Sequence, residues 1–262
     1  MKLSIITVNR NNVDGLRKTI ESVVSQTFTD FEYIIIDGAS TDGSVDVIKE
    51  YAHKIDFWVS EPDTGIYNAM NKGILKAKGE YLLFLNSGDK LSKSESITYF
   101  DDYLNNGYDI IYGDIKVGSS KDEFLKTYPD ELNFRYFLYD TLPHPASLIK
   151  TKSLMKLGNY DENLKICADW KFFIESICLH NYSYKHINNE ISTFYLDGIS
   201  SENKSLELIE IEKLSVLTSS FVAFYSDYIE MERLVKFKQR IHKSLIIKFI
   251  VKLGFLKRTK YE

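Results

Sequence analysis

An α/β fold, with a mostly parallel central sheet, helices on both faces and a helical C-terminal extension, is what this 262-residue sequence predicts. Three observations carry the prediction. Short apolar runs alternate with segments of helical periodicity from Leu3 to Phe84, the order that gives parallel strands joined by right-handed crossovers. Residues 60–89 then combine an acidic loop, an amide-bearing helix, a buried strand and a strand-end carboxylate. Beyond Gly198 the pattern is helical, and the chain ends strongly basic.

Residues 3–8 read as the first strand, and residues 13–26 place Leu16, Ile20, Val23 and Val24 on one helical stripe. Residues 33–36 form the next strand. It runs into Asp37-Gly38-Ala39-Ser40-Thr41-Asp42-Gly43, a turn-rich loop before a helix carrying Val45, Ile48, Tyr51 and Ala52. Residues 55–59 are a third strand. Asp63 or Thr64 can cap the following helix, on which Ile66, Ala69, Met70, Gly73, Ile74 and Ala77 share a face, before Tyr81 opens the fourth strand. This order predicts a Rossmann-like half over about residues 1–100. A dinucleotide site is disfavoured, because the first strand leads into Asn9-Arg10-Asn11-Asn12 and not into a glycine-rich turn. Further on the pattern is mixed: residues 109–112, 123–128 and 146–150 read as strands, Leu142-Pro143-His144-Pro145 as an irregular loop and residues 169–180 as a helix.

The length suits one large domain or two closely fused halves. The N-terminal apolar run is too short for a signal-peptide core, so a cytoplasmic chain is predicted. Cys167 and Cys178 form neither a metal pattern nor a disulfide framework, and two buried free thiols suit a reducing compartment.

Three carboxylates stand where a strand ends or a helix begins: Asp37, Asp89 and Asp169. Each alone is explained as a turn or helix cap. Parallel topology, however, sends Asp37 and Asp89 to the same sheet edge, where ligands bind in open α/β sheets. There Asp37 can accept hydrogen bonds from a base or ribose, and Asp89, beside Asn86 and Ser87, can hold a hard divalent cation that bridges a diphosphate. Asn68 and Asn71 lie opposite the apolar stripe of their helix, a position that fits either surface amides or ligand contacts. His144, fixed between two prolines, either lines the site, completes a metal shell or packs in a loop.

Taken as a set, these residues resemble the family 2 glycosyltransferases, which have the GT-A fold and are often found in bacterial polysaccharide assembly. The matching blocks are Ser4-Ile5-Ile6-Thr7-Val8, Ser25-Gln26-Thr27-Phe28 with residues 32–37, Asp42-Gly43-Ser44, and residues 61–73 continuing through Gly79-Glu80-Tyr81 to Asp89. Gly158-Asn159-Tyr160-Asp161-Glu162 and Ala168-Asp169-Trp170-Lys171-Phe172-Phe173 resemble the acceptor-side signature. The resemblance implies a donor half over residues 1–100, an acceptor half over 101–200 and an extension over 201–262. It further implies that Val8 and Asn9 border the nucleotide, that Asp37 meets the base, that Asp63, Asn71, Asn86 and Ser87 approach the donor, and that Asp169 is the catalytic base. The implied reaction is an inverting transfer from a nucleotide-diphosphate sugar, a UDP-hexose or UDP-N-acetylhexosamine, to a saccharide or lipid-linked saccharide, with Mn²⁺ or Mg²⁺ at Asp89. Two departures stand out. Asn86-Ser87-Gly88-Asp89 replaces the usual Asp-x-Asp, and Gly38 follows Asp37 where a second aspartate is common. The competing reading is a non-catalytic GT-A domain that binds a nucleotide sugar or a protein partner.

Residues 233–262 carry ten Lys or Arg against Glu262 alone, +9 there and −13 elsewhere within a net charge of −4. Leu234, Phe237, Ile241 and Leu245 share a helical face among Lys236, Lys238, Arg240 and Lys243. Lys248 and Lys252 interrupt the apolar stretch that follows, which is too short and too charged to span a bilayer. The tail suits either an anionic membrane face or the chain's own acidic body, and nucleic acid fits poorly because the rest of the chain is acidic.

Overall fold

The computed structural model describes residues 1–118, 123–195 and 203–243. Its first half alternates strand and helix: β1 (Leu3–Asn9), α1 (Val13–Val24), β2 (Phe31–Asp37), α2 (Ser44–Glu50), β3 (Phe57–Ser60), α3 (Ile66–Lys76) and β4 (Tyr81–Phe84). These four strands pair in parallel, in the order β3-β2-β1-β4. Their composition follows from burial on both faces: every residue of β1 is buried, and Ile34, Ile35, Tyr81 and Leu83 are sealed from solvent. The helix α3 packs on β1 and β2.

The second half is mixed, as the sequence pattern indicates. It contains β5 (Lys90–Leu91), α4 (Asp101–Leu104), β6 (Ile110–Gly118), β7 (Glu123–Lys126), α5 (Phe134–Tyr139), β8 (Ser147–Lys150), α6 (Thr151–Lys156), α7 (Ala168–Cys178) and β9 (Tyr184–Tyr195). The sheet continues from β4 through antiparallel β8 to β6, whose other neighbour β9 runs parallel to it and pairs with β5; β7 hangs on β6. Sequence reading misses β9. Its partner register jumps from Tyr112↔His186 to Asp114↔Glu190, so extra residues bulge opposite Gly113 and the two-residue alternation is lost. Between Pro143 and Ser147 the expected irregular loop closes as a single 3-10 turn, His144–Ala146.

The helical extension consists of α8 (Asn203–Ser220) and α9 (Val222–Lys243). Two compact units divide the chain, Met1–Glu212 and Lys213–Glu262. No described helix is long and apolar enough to cross a membrane. Of the basic tail, residues 244–262 lie outside the described residues.

Candidate active site

The carboxyl ends of the parallel strands meet at one edge, where Asn9 is registered with Asp37 and Asp37 with Ser60. Beyond β4 the chain keeps alongside β1, with Ser87 N donating to Val8 O at 3.1 Å. Val8, Asn9, Asp37 and Ser87 therefore come together, as parallel topology requires.

Asp37 is fully buried, and the chain itself occupies both of its oxygens. Oδ1 accepts from Asn9 Nδ2 at 2.8 Å and Ser40 Oγ at 2.6 Å, while Oδ2 accepts from Ser40 N at 2.9 Å and Ser60 Oγ at 2.6 Å. The carboxylate thus fastens three strand-end segments together. Neither serine carried a sequence signal beyond ordinary loop composition.

The Asp63 side chain is only 6% exposed and lies over Gly38, where an added Cβ would meet its Oδ2 at 2.3 Å. A side chain at position 38 would therefore displace the Asp63 carboxyl from its present place. Asp63 Oδ1 accepts from Gly65 N at 3.1 Å and lies 3.8 Å from the exposed Arg10 guanidinium. Gly65 has φ +152° and ψ 171°, a conformation essentially reserved for glycine, and it turns the chain into α3.

After β4, Asn86-Ser87-Gly88-Asp89 is organised by Thr19 of α1. The Thr19 hydroxyl accepts from Gly88 N at 3.1 Å and lies 2.6 Å from Asp89 O. Asp89 is 8% exposed, and Asn86 Oδ1 is buried with no hydrogen-bond partner among the described residues. One carboxylate and one amide oxygen are suitable donors for Mn²⁺ or Mg²⁺, which commonly bind through one or two carboxylates plus substrate phosphates. Among the described residues there is no cluster of three or more acidic, His or Cys ligands. The donor set fits a cation held jointly with a diphosphate, and does not fit an all-protein cage.

On α3, Asn71 Nδ2 donates to Tyr160 O at 2.9 Å and Glu162 Oε1 at 2.8 Å, and its Oδ1 accepts from Tyr160 N at 3.0 Å. Asn68 Nδ2 grips the second Glu162 oxygen at 2.9 Å. The two amides therefore clamp the loop before α7 onto the helix after Asp63. A cavity of about 350 Å³ lies on this loop, lined by Asn159, Asp161, Glu162, Ala168, Lys171 and Glu175 among others.

Asp169 stands in the first turn of α7 and is half-buried. Its Oδ1 lies 2.8 Å from the hydroxyl of Tyr67, which comes from α3. Burial, reinforced by the Asp169 charge, pushes the Tyr67 hydroxyl well above the usual phenol range, so it remains an O–H donor. The same two causes act on Tyr160. Sequence reading did not single out Tyr67. His144 is buried beneath these residues, stacked on Phe84 at 4.9 Å, with Nε2 2.8 Å from the Tyr160 hydroxyl. Of the three roles open to it, the geometry favours packing.

The chain belongs to glycosyl transferase family 2, whose sequence profile matches residues 4–158. An uncharacterized glycosyltransferase of Mycobacterium tuberculosis is 32% identical over 187 residues, 66% of this chain and 68% of that protein. A PGL/p-HBAD biosynthesis glycosyltransferase of Mycobacterium bovis is 28% identical over 184 residues, covering 68% and 70%. Among solved structures, S. aureus TarS in complex with UDP-GlcNAc superposes with a TM-score of 0.64 at 19% identity, over 83% of this chain and 67% of that one. A mannosyltransferase from Pyrobaculum calidifontis, in complex with GDP-Man and Mn²⁺, gives 0.60 at 14% identity, over 76% and 58%.

Proposed function

We propose that this glycosyltransferase is an inverting enzyme that moves a hexose or N-acetylhexosamine from a nucleotide-diphosphate sugar to a saccharide or lipid-linked saccharide, in cell-surface polysaccharide biosynthesis. The observation that carries the reading is the Asp169 carboxylate, tied through Tyr67 to the helix that leaves the acidic strand-end edge. The nucleotide lies along Val8, Asn9 and Asp37, its base meeting the segment that Asp37 fastens. The sugar diphosphate lies toward Asp63, Asn86, Ser87 and Asp89. Asp169 takes the proton of the acceptor hydroxyl as that oxygen attacks the anomeric carbon. The bond from that carbon to the diphosphate oxygen breaks, the nucleoside diphosphate leaves, and the configuration inverts. A divalent cation at Asp89 and Asn86 would neutralise charge on the departing diphosphate when bound. UDP is the first nucleotide to examine, since TarS was solved with UDP-GlcNAc. A lipid-linked acceptor is favoured by the basic, apolar-faced end of α9, which suits an anionic membrane surface.

A panel of nucleotide sugars with Mn²⁺ or Mg²⁺ tests this. One donor is expected to give nucleoside diphosphate release that Asp169→Asn lowers by about 10²-fold or more. Transfer that survives Asp169→Asn intact would remove this residue as the base.

A further inference from the structure

The turn that delivers Asp169 is held from two sides by buried groups. From α8, Glu212 is 6% exposed; its Oε1 accepts from Lys165 N at 2.6 Å, and its Oε2 from Ile166 N at 3.1 Å and Cys167 N at 3.0 Å. Cys167, the residue before α7, gives no side-chain cap of its own, so the turn obtains its acceptor from another helix. The Glu212 carboxylate makes no ion pair among the described residues, and backbone N–H groups alone meet its charge. From α3, the Tyr67 hydroxyl lies 2.5 Å from Ile166 O as well as 2.8 Å from Asp169 Oδ1. Within residues 165–169, then, Glu212 takes three backbone donors while Tyr67 reaches a carbonyl and the carboxylate itself. Asp169 Oδ2 has no hydrogen-bond partner among the described residues.

We propose that Tyr67 and Glu212 are positioning residues of the transfer. Glu212 fixes the backbone of the turn, and Tyr67 fixes the carboxylate rotamer, which leaves Oδ2 to receive the acceptor proton. The proposal rests on Asp169 as the base. It brings Glu212, at the middle of α8 and outside the stretch matched by the family profile, into the support of the active site. It also links the base to the donor side, because Tyr67 stands two residues after Gly65, whose N–H is bonded to Asp63.

The test uses full-length Tyr67→Phe, Glu212→Gln and Asp169→Asn, with kcat, donor KM and thermal midpoint measured for each. Tyr67→Phe keeps the ring that packs 5.6 Å from Tyr160, so the fold is expected to survive. Its kcat is expected to fall about tenfold to 10²-fold, the scale of a misplaced catalytic group, with donor KM within about twofold. Glu212→Gln is expected to behave alike with a lower midpoint; should it fail to fold, Tyr67→Phe decides alone. In the Asp169→Asn background, Tyr67→Phe should cost nothing further, since a group acting through the base has nothing left to orient. A Tyr67→Phe enzyme with parental kcat overturns the proposal, as does a loss that adds in full to that of Asp169→Asn. Transfer that persists in Asp169→Asn would instead sink the base assignment beneath it.

Discussion

His144 lies flat against Phe84, buried, with Tyr160 as its polar neighbour. Burial lowers its pKa from the ordinary 6.5, and the charge of Asp169 only partly opposes this. The unfolded chain therefore takes up this proton before the folded one does. The stabilisation is complete above about pH 6.5 and is lost as pH falls below it, at up to about 1.4 kcal/mol per pH unit from this group. His144→Asn keeps an amide near Tyr160 but does not titrate, so the fall in urea-unfolding stability as pH drops below about 6.5 should be shallower in the variant. An unchanged slope would mean that the folded imidazole is protonated as readily as the unfolded one. At the same scale, a side chain at 38 would require the Asp63 carboxyl to move, since an added Cβ there would lie 2.3 Å from its Oδ2.

At the scale of elements, α3 is the helix that ties the Asp63 loop to the loop and first turn of α7. Its first turn follows Gly65, its Asn68 and Asn71 hold the Glu162 loop, and its Tyr67 reaches Asp169. Asn71→Ala would strand the N–H and C=O of buried Tyr160, and is expected to cost about 1–3 kcal/mol in urea unfolding. A variant of parental stability that had lost donor affinity would instead place the amide on the ligand. The strands and helices up to β4 were legible because each is a short run with a clean period, and the sheet edge followed from topology. The partners were not. Tyr67 and Asp169 are 102 residues apart, and no local pattern announces a phenol that crosses between helices. Glu212 left a trace, because it falls on the stripe of Ile209 and Val216, where an apolar residue is expected. The bulge in β9 broke the alternation by which that strand would have been recognised.

At the scale of the whole molecule, the net charge of −4 hides a basic end whose described part faces solvent. From Arg233 to Ile241 every residue of α9 is exposed, including Leu234 and Phe237, each 61% exposed. An exposed apolar face flanked by Lys236, Lys238 and Arg240 has the character of an interfacial helix, which gains from apolar insertion and from attraction to anionic headgroups. Each basic residue near such a surface contributes about 1 kcal/mol, so changing all three to glutamine should weaken binding to anionic vesicles by about 10²-fold. Sedimentation of the full chain with phosphatidylserine vesicles measures this. Binding should fade as salt is raised, because the Debye length shortens to about 3 Å at 1 M. Transfer to a soluble saccharide acceptor should continue unchanged in the triple variant, since none of the three residues belongs to the proposed site. Equal partition of parent and variant onto these vesicles, or equally strong binding to vesicles of neutral lipid, would assign the basic face to a protein surface instead.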